Sequence, residues 1–197
     1  MKSLFLFLSL FTINLSAQTE LMDNLPYHSI PDYPDNYSSN NIIARMVDGL
    51  GFRYYWATEG LTENELAYQV SESSRTATEV LEHIHGLCEM VHNSVKAQPN
   101  VRPRPASEMT FADMRSKTLL MLKESSDLLR AMDPEDVEKL QIVFKRGEKE
   151  SSFPFWHQLN GPMADALWHT GQIVMMRRAA GNPIDPRVSV FSGKLKE

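Results

Sequence analysis

Asp165 and His169 stand four residues apart within an apolar run of helical composition. At that spacing both side chains leave one face of a helix, a single turn apart. Their neighbours Ala166, Leu167, Trp168, Ile173, Val174, Met175 and Met176 predict a helix buried nearly all round. A carboxylate and an imidazole in such a setting need a partner, and a divalent cation is one candidate. His83 adds a third group. It falls three residues after Val80 and four before Leu87, on the apolar stripe of another predicted helix. Two histidines and one carboxylate borne by two helices are a means by which bundle cores hold a metal, with positions left open for water or substrate. The competing reading is structural: a self-satisfied Asp–His pair beside a hydrogen-bonded core histidine.

The remaining candidates are weaker. His85 lies two positions past His83, about 200° round the helix, and His92 lies nearly opposite; both are expected at the surface or rim. His157 precedes Asp165 by two turns, but Gly161-Pro162 interrupts the helix between them, which leaves it an extra candidate only. Asn160 and Gln172 are candidate donors to the ligands, with a helix cap and a satisfied core amide as the structural alternatives. Arg177-Arg178 ends a helix where cations favour the dipole. Arg53-Tyr54-Tyr55-Trp56 offers aromatic surface expected mainly in the core, and His28 carries no inference. Cys88, the only cysteine, sits in an apolar helical stretch and reads as a small core residue.

Four helices must position these groups. The first spans about 39–60, with Ile42, Ile43, Met46, Leu50, Tyr54 and Ala57 as its stripe and Gly60 as its stop. Gly49 and Gly51 within it suggest a close helix crossing or a kink. The second opens on the capping box Thr76-Ala77-Thr78-Glu79 and ends before Pro99. The third starts at Thr110 with Asp113 at N3, carries Met114, Thr118, Met121, Leu122, Leu128 and Leu129, and stops at Asp133-Pro134. The fourth runs from Pro162 to Gly181-Asn182-Pro183. The proline-rich link after Pro99 is extended, and about a dozen such residues reach roughly 40 Å. That is long enough to let helices two and three run parallel. Residues 139–147 alternate in the β manner and end in a glycine, which predicts a small hairpin or lid before helix four.

The chain has 197 residues, about one domain's worth. Lys2, an apolar run from Leu4 to Leu15 and the small residues Ser16-Ala17 have the layout of a secretory signal peptide, with cleavage after Ala17. The expected division is a signal at 1–17, an extended arm at 18–40 held by tyrosines, the helical domain at 41–182 and a loosely packed tail at 183–197. Export to the periplasm or medium follows, with no membrane span in the mature chain. Loss of Lys2 takes the formal charge from −5 to −6, that is 19 basic against 25 acidic residues. Such mild acidity argues against nucleic acid as a partner. A small-molecule substrate or ligand is the expected one. The aromatic and methionine-rich helix faces leave room for a homodimer.

Val80-Leu81-Glu82-His83-Ile84 and Ala166-Leu167-Trp168-His169-Thr170-Gly171-Gln172-Ile173, in that order, resemble the DinB/YfiT-like superfamily over about 42–181. The segment from Gly51 to Leu61 resembles an exported branch of it. The resemblance implies an all-α fold, a four-helix bundle with an up-down-down-up course. It also implies a divalent cation (zinc, nickel, manganese or iron) held by one residue of helix two and two of helix four. His83 matches the first ligand position and His169 the last. Asp165 stands where the family's His-x-x-x-His pattern has its first histidine, an alteration that still leaves a ligand. Members of the family resemble metal-dependent thiol transferases or hydrolases, in which metal-bound thiolate or water attacks. A non-catalytic binding or structural bundle with a degenerate metal site is the alternative.

Overall fold

The computed structural model describes residues 25–104 and 108–197. The expected signal peptide and the first part of the arm lie outside the described residues. The chain is mostly helical, with two small sheets beside the helices. Four long helices carry the core: α1 (Ser39–Thr58), α3 (Ala77–Val95), α4 (Phe111–Ala131) and α7 (Ala164–Ala179). Short turns of helix, α2 (Glu63–Leu66), α5 (Pro134–Val137) and α6 (Trp156–Gln158), join them. Among the described residues no helix is long and apolar enough to cross a membrane.

Local chemistry sets the helix starts. The Thr76 hydroxyl accepts from Glu79 N at 3.2 Å while the Glu79 carboxylate accepts from Thr76 N at 2.7 Å, closing the expected capping box of α3. Thr110 caps α4 through Asp113 N, also as expected. Gly60 ends the first helical region at φ 67°, a conformation glycine adopts freely. Each long helix packs on two others, α1 and α3 each lying against both α4 and α7.

Which apolar residues are buried departs from the periodic stripes. Ile42 and Met46 of α1 and Leu128 of α4 are exposed, whereas Leu119 is fully buried. A helix wedged between two neighbours buries a broader face, turned from the direction a single stripe suggests. The glycines of α1 also differ from expectation. A Cβ on Gly51 would lie 2.4 Å from the Tyr27 ring, so this position lets the arm, not another helix, lie close. Tyr27 is buried there, but Tyr33 and Tyr37 are exposed, Tyr33 meeting α1 only through the Arg45 guanidinium 4.9 Å from its ring centroid.

The predicted hairpin is present. β2 (Gln141–Arg146) pairs antiparallel with β3 (Lys149–Pro154) around Gly147 at φ 57°. β1 (Asn100–Val101) adds a parallel edge. After β3 and α6 the chain passes through a wide turn at Leu159–Met163, where Gly161 leaves helical angles and Pro162 withholds a donor. The tail is more ordered than expected: β4 (Val188–Ser189) and β5 (Lys194–Leu195) pair, and Ile30 N donates to Gly193 O at 2.8 Å.

Candidate metal centre

His83 projects from the first half of α3 and meets the first two turns of α7. Its Nε2 lies 3.2 Å from Asp165 Oδ2, and His169 Nε2 lies 3.4 Å from Asp165 Oδ1. The two imidazoles meet edge to face with centroids 4.7 Å apart. One potential ligand atom from each of the three residues falls within 4.8 Å of the others. Two ligands held at about 2.1 Å from one cation are separated by roughly 3.0–3.4 Å at tetrahedral or octahedral angles. The two observed separations match that spacing. The trio singled out in the sequence therefore converges.

Gln172, one turn past His169, places its Oε1 2.8 Å from His169 Nδ1. An amide oxygen only accepts, so the ring hydrogen sits on Nδ1. In the neutral ring, Nε2 then turns a lone pair towards the Asp165 carboxylate. Two acceptors that close need a positive charge on or between them: a ring proton in the structural reading, a cation in the metal reading. Gln172 thus acts as an acceptor, the reverse of the expected donor. Asp165 also lies in the first turn of α7, where the helix dipole favours a carboxylate.

The site is open. The side chains of His83, Asp165 and His169 are 35%, 40% and 18% exposed. This corrects the expectation of a helix buried all round: α7 buries Ala166, Thr170, Ile173, Met176 and Arg177, while Trp168 and Met175 are exposed. Hydropathy alone does not distinguish a core contact from a pocket wall. Two cavities flank the cluster. One, about 850 Å³, is lined by His83, His169, Arg75, Gln172, Trp168 and Met175. The other, about 680 Å³, lies against the hairpin and is lined by Asp165, Leu87, Phe144, Phe153 and Trp168 among others. Both volumes suit small molecules.

The other candidates separate from the cluster. His85 is not a surface residue: it is buried, with Nδ1 2.8 Å from Thr118 Oγ1 of α4. Burial, then the charges of Arg104 and Lys117, push its pKa down to about 4. His92 likewise faces α4, 3.2 Å from Ser125 Oγ and 3.5 Å from Glu124. The side of α3 turned away from His83 packs on a neighbour, which is why neither reaches solvent freely. His157 is exposed on α6, its ring 6.1 Å from that of Phe153; with Asn160 it lines the hairpin-side cavity instead of joining the cluster.

Arg177 is buried and donates to Trp56 O, Ala57 O and Asn182 O, closing the end of α1. Tyr54 is core, and Tyr55 and Trp56 pack with His28. Cys88 is core as expected, burial pushing its thiol up to about 12. Sequence reasoning missed the role of Met175 and the hairpin aromatics as cavity walls. Their only signal was hydrophobic content beside the ligand turn.

These elements define a DinB-like fold. A crystal structure of a DinB-like protein, YjoA, from Bacillus subtilis superposes with a TM-score of 0.56 at 16% identity, covering 78% of this chain and 99% of that one. No family model and no curated protein sequence matches the chain.

Proposed function

We propose that this protein is an exported, DinB-like, divalent-cation-binding protein that acts on a small molecule, with His83, Asp165 and His169 as its ligands. The observation that carries this reading is that one potential ligand atom from each of the three groups falls within 4.8 Å of the others on an open face. The cation would be zinc, nickel, manganese or iron, all of which accept imidazole and carboxylate. When bound, it would supply Lewis acidity that lowers the pKa of a coordinated water or thiol. Hydrolysis and thiol transfer are the two reaction classes this serves. Gln172 holds His169 with Nε2 turned inward, Asp165 supplies the negative charge, and the flanking cavities admit reactants.

The course we infer is up-down-down-up around an all-α core, with the sheets as additions. Arg115, early in α4, donates to Thr58 at the end of α1, while Asn40, early in α1, donates to Met132 after α4. His85 and His92 meet Thr118 and Ser125, which advance together. Ser94, late in α3, meets Gln158, which precedes α7.

Elemental analysis of the purified mature chain after dialysis against a weak chelator tests the ligand set. Near-stoichiometric divalent metal is expected, lost in His83→Ala and in His169→Ala. Metal-free protein after reloading with each candidate ion overturns the reading. Mass spectrometry of the secreted form, beginning at Gln18, tests export and cleavage. An electrophile and ester panel on the loaded protein separates transfer from hydrolysis.

A further inference from the structure

The ligand cluster is walled differently on its two sides. His83 and His169 face the cavity that also holds Arg75 and Gln172, whereas Asp165 faces the hairpin-side cavity. Trp168, in the second turn of α7, lines both. Among the described residues Asp165 is the only carboxylate of the hairpin-side lining, and apart from His157 and Asn160 the side chains around it are apolar or aromatic. On the sheet, Ile142 lies directly opposite Phe153. Phe144 follows two residues after Ile142 and so shares that face. Phe144 and Phe153 meet edge to face at 6.0 Å. Leu87 of α3 closes the back.

Phe153 is 42% exposed and Trp168 74%. Large aromatic surfaces left in water beside a ligand cluster gain free energy when a guest covers them. The cavity's roughly 680 Å³ suits a small molecule, and flat aromatic walls favour a flat aromatic guest.

We propose that the hairpin-side cavity is the subsite for a small molecule with an aromatic body, whose polar head is presented to the cluster at Asp165. The proposal rests on the cation-binding reading of His83, Asp165 and His169. The opposite cavity, with Arg75 and Gln172 in its wall, is then left for a more polar reactant. The hairpin becomes part of the binding site rather than a decoration of the fold.

Two chelating probes with one head and different bodies test this: benzohydroxamate and acetohydroxamate, titrated calorimetrically into zinc-loaded protein of measured metal content. Benzohydroxamate is expected to bind at least about tenfold more tightly. Phe153→Ser and Trp168→Ala should each erase most of that preference and leave acetohydroxamate affinity unchanged. Both residues are exposed enough for the variants to fold, which far-ultraviolet circular dichroism checks. Met175→Ser, on the other cavity, should keep the preference. Equal affinities for the two probes, or a preference removed by Met175→Ser and not by Phe153→Ser, overturn the subsite while the metal reading stands. Failure to retain zinc, with neither probe bound, overturns the metal reading and this proposal together.

Discussion

Two polar clusters lie between helices of this protein, and they are built to opposite specifications. Between α1 and α4, Asp48 is fully buried and pairs with Arg130. Its Oδ1 accepts from Ser126 Oγ at 2.6 Å and from the Tyr27 hydroxyl at 3.1 Å. The arm closes this cluster from outside, and burial followed by the Asp48 charge raises the Tyr27 pKa far above the ordinary phenol value. Both Asp48 oxygens have donors, and the carboxylate itself is closed off from solvent, with only the Arg130 side chain partly exposed. Between α3 and α7, the carboxylate of Asp165 faces two imidazole nitrogens, one of them oriented by Gln172 to offer a lone pair. Cavities open on both sides. A satisfied and sealed cluster holds helices together; the open one, in the function proposed above, takes a cation. Burial of charge alone does not mark function. The balance of donors against acceptors, together with access, does.

The largest effect should come from breaking the sealed cluster. Asp48→Ala leaves the Arg130 guanidinium and the Tyr27 hydroxyl without their acceptor, a loss that costs about 3–5 kcal/mol for a buried pair. Urea denaturation should show that drop. An unchanged midpoint would mean that the cluster contributes nothing net. Metal uptake per folded molecule should be unaltered, because the seam is on the other side of the core.

The reverse pattern is expected at the open cluster. His83→Ala should weaken metal binding more than about 100-fold, since even outer-shell changes cost 10- to 100-fold. The stability of the metal-free protein should change by no more than about 1 kcal/mol, as for other half-exposed ion pairs. Competition with a zinc indicator reads the first quantity and denaturation of the apo form reads the second. A large loss of apo stability with unchanged metal affinity would make the two clusters alike, both structural.

The sequence made the open cluster legible and hid the sealed one. His83, Asp165 and His169 could be found because helical spacing alone puts two of them on one face, and His83 interrupts an apolar stripe. The caps at Thr76 and Thr110 and the β alternation before Gly147 are equally local signals. Asp48 carried none: its donors Ser126 and Arg130 lie far along the chain and Tyr27 lies in an arm without periodicity. Arg115 was hidden for the same reason, and for Arg177 the sequence showed the helix-end position but not the partners on α1. Their guanidiniums close α1 from distant helices, and no local pattern announces a long-range cap. The face of α7 was misjudged because Trp168 and Met175 have the hydropathy of core residues while lining cavities.

Gln172 sharpens the comparison at finer scale. Gln172→Leu keeps the bulk and removes the acceptor for His169 Nδ1–H. The ring then loses its fixed tautomer, and metal affinity should fall by about 10- to 100-fold. Gln172→Glu keeps an acceptor and should restore affinity to within that range of the wild type. Equal affinity in all three proteins would show that the amide only fills space.

The smallest effect concerns the end of the sealed side, where Glu65 ties α2 to the residues after α7. Its carboxylate accepts from Thr62 N and Thr62 Oγ1, each at 2.8 Å, and from Asn182 Nδ2 and Asn64 Nδ2, each at 3.1 Å. The Thr62 backbone hydrogen bond, then those from Asn64, Thr62 and Asn182, hold its pKa down at about 2. A carboxyl depressed in the folded state favours folding fully above its unfolded value of about 4.3. That contribution disappears as pH falls through the folded value. The stability gap between wild type and Glu65→Gln should therefore narrow as pH is lowered from about 5 to about 2, because only the wild-type group titrates. Thermal midpoints taken across that window supply the check. A gap independent of pH would mean that Glu65 acts through shape and hydrogen bonding alone, without its charge.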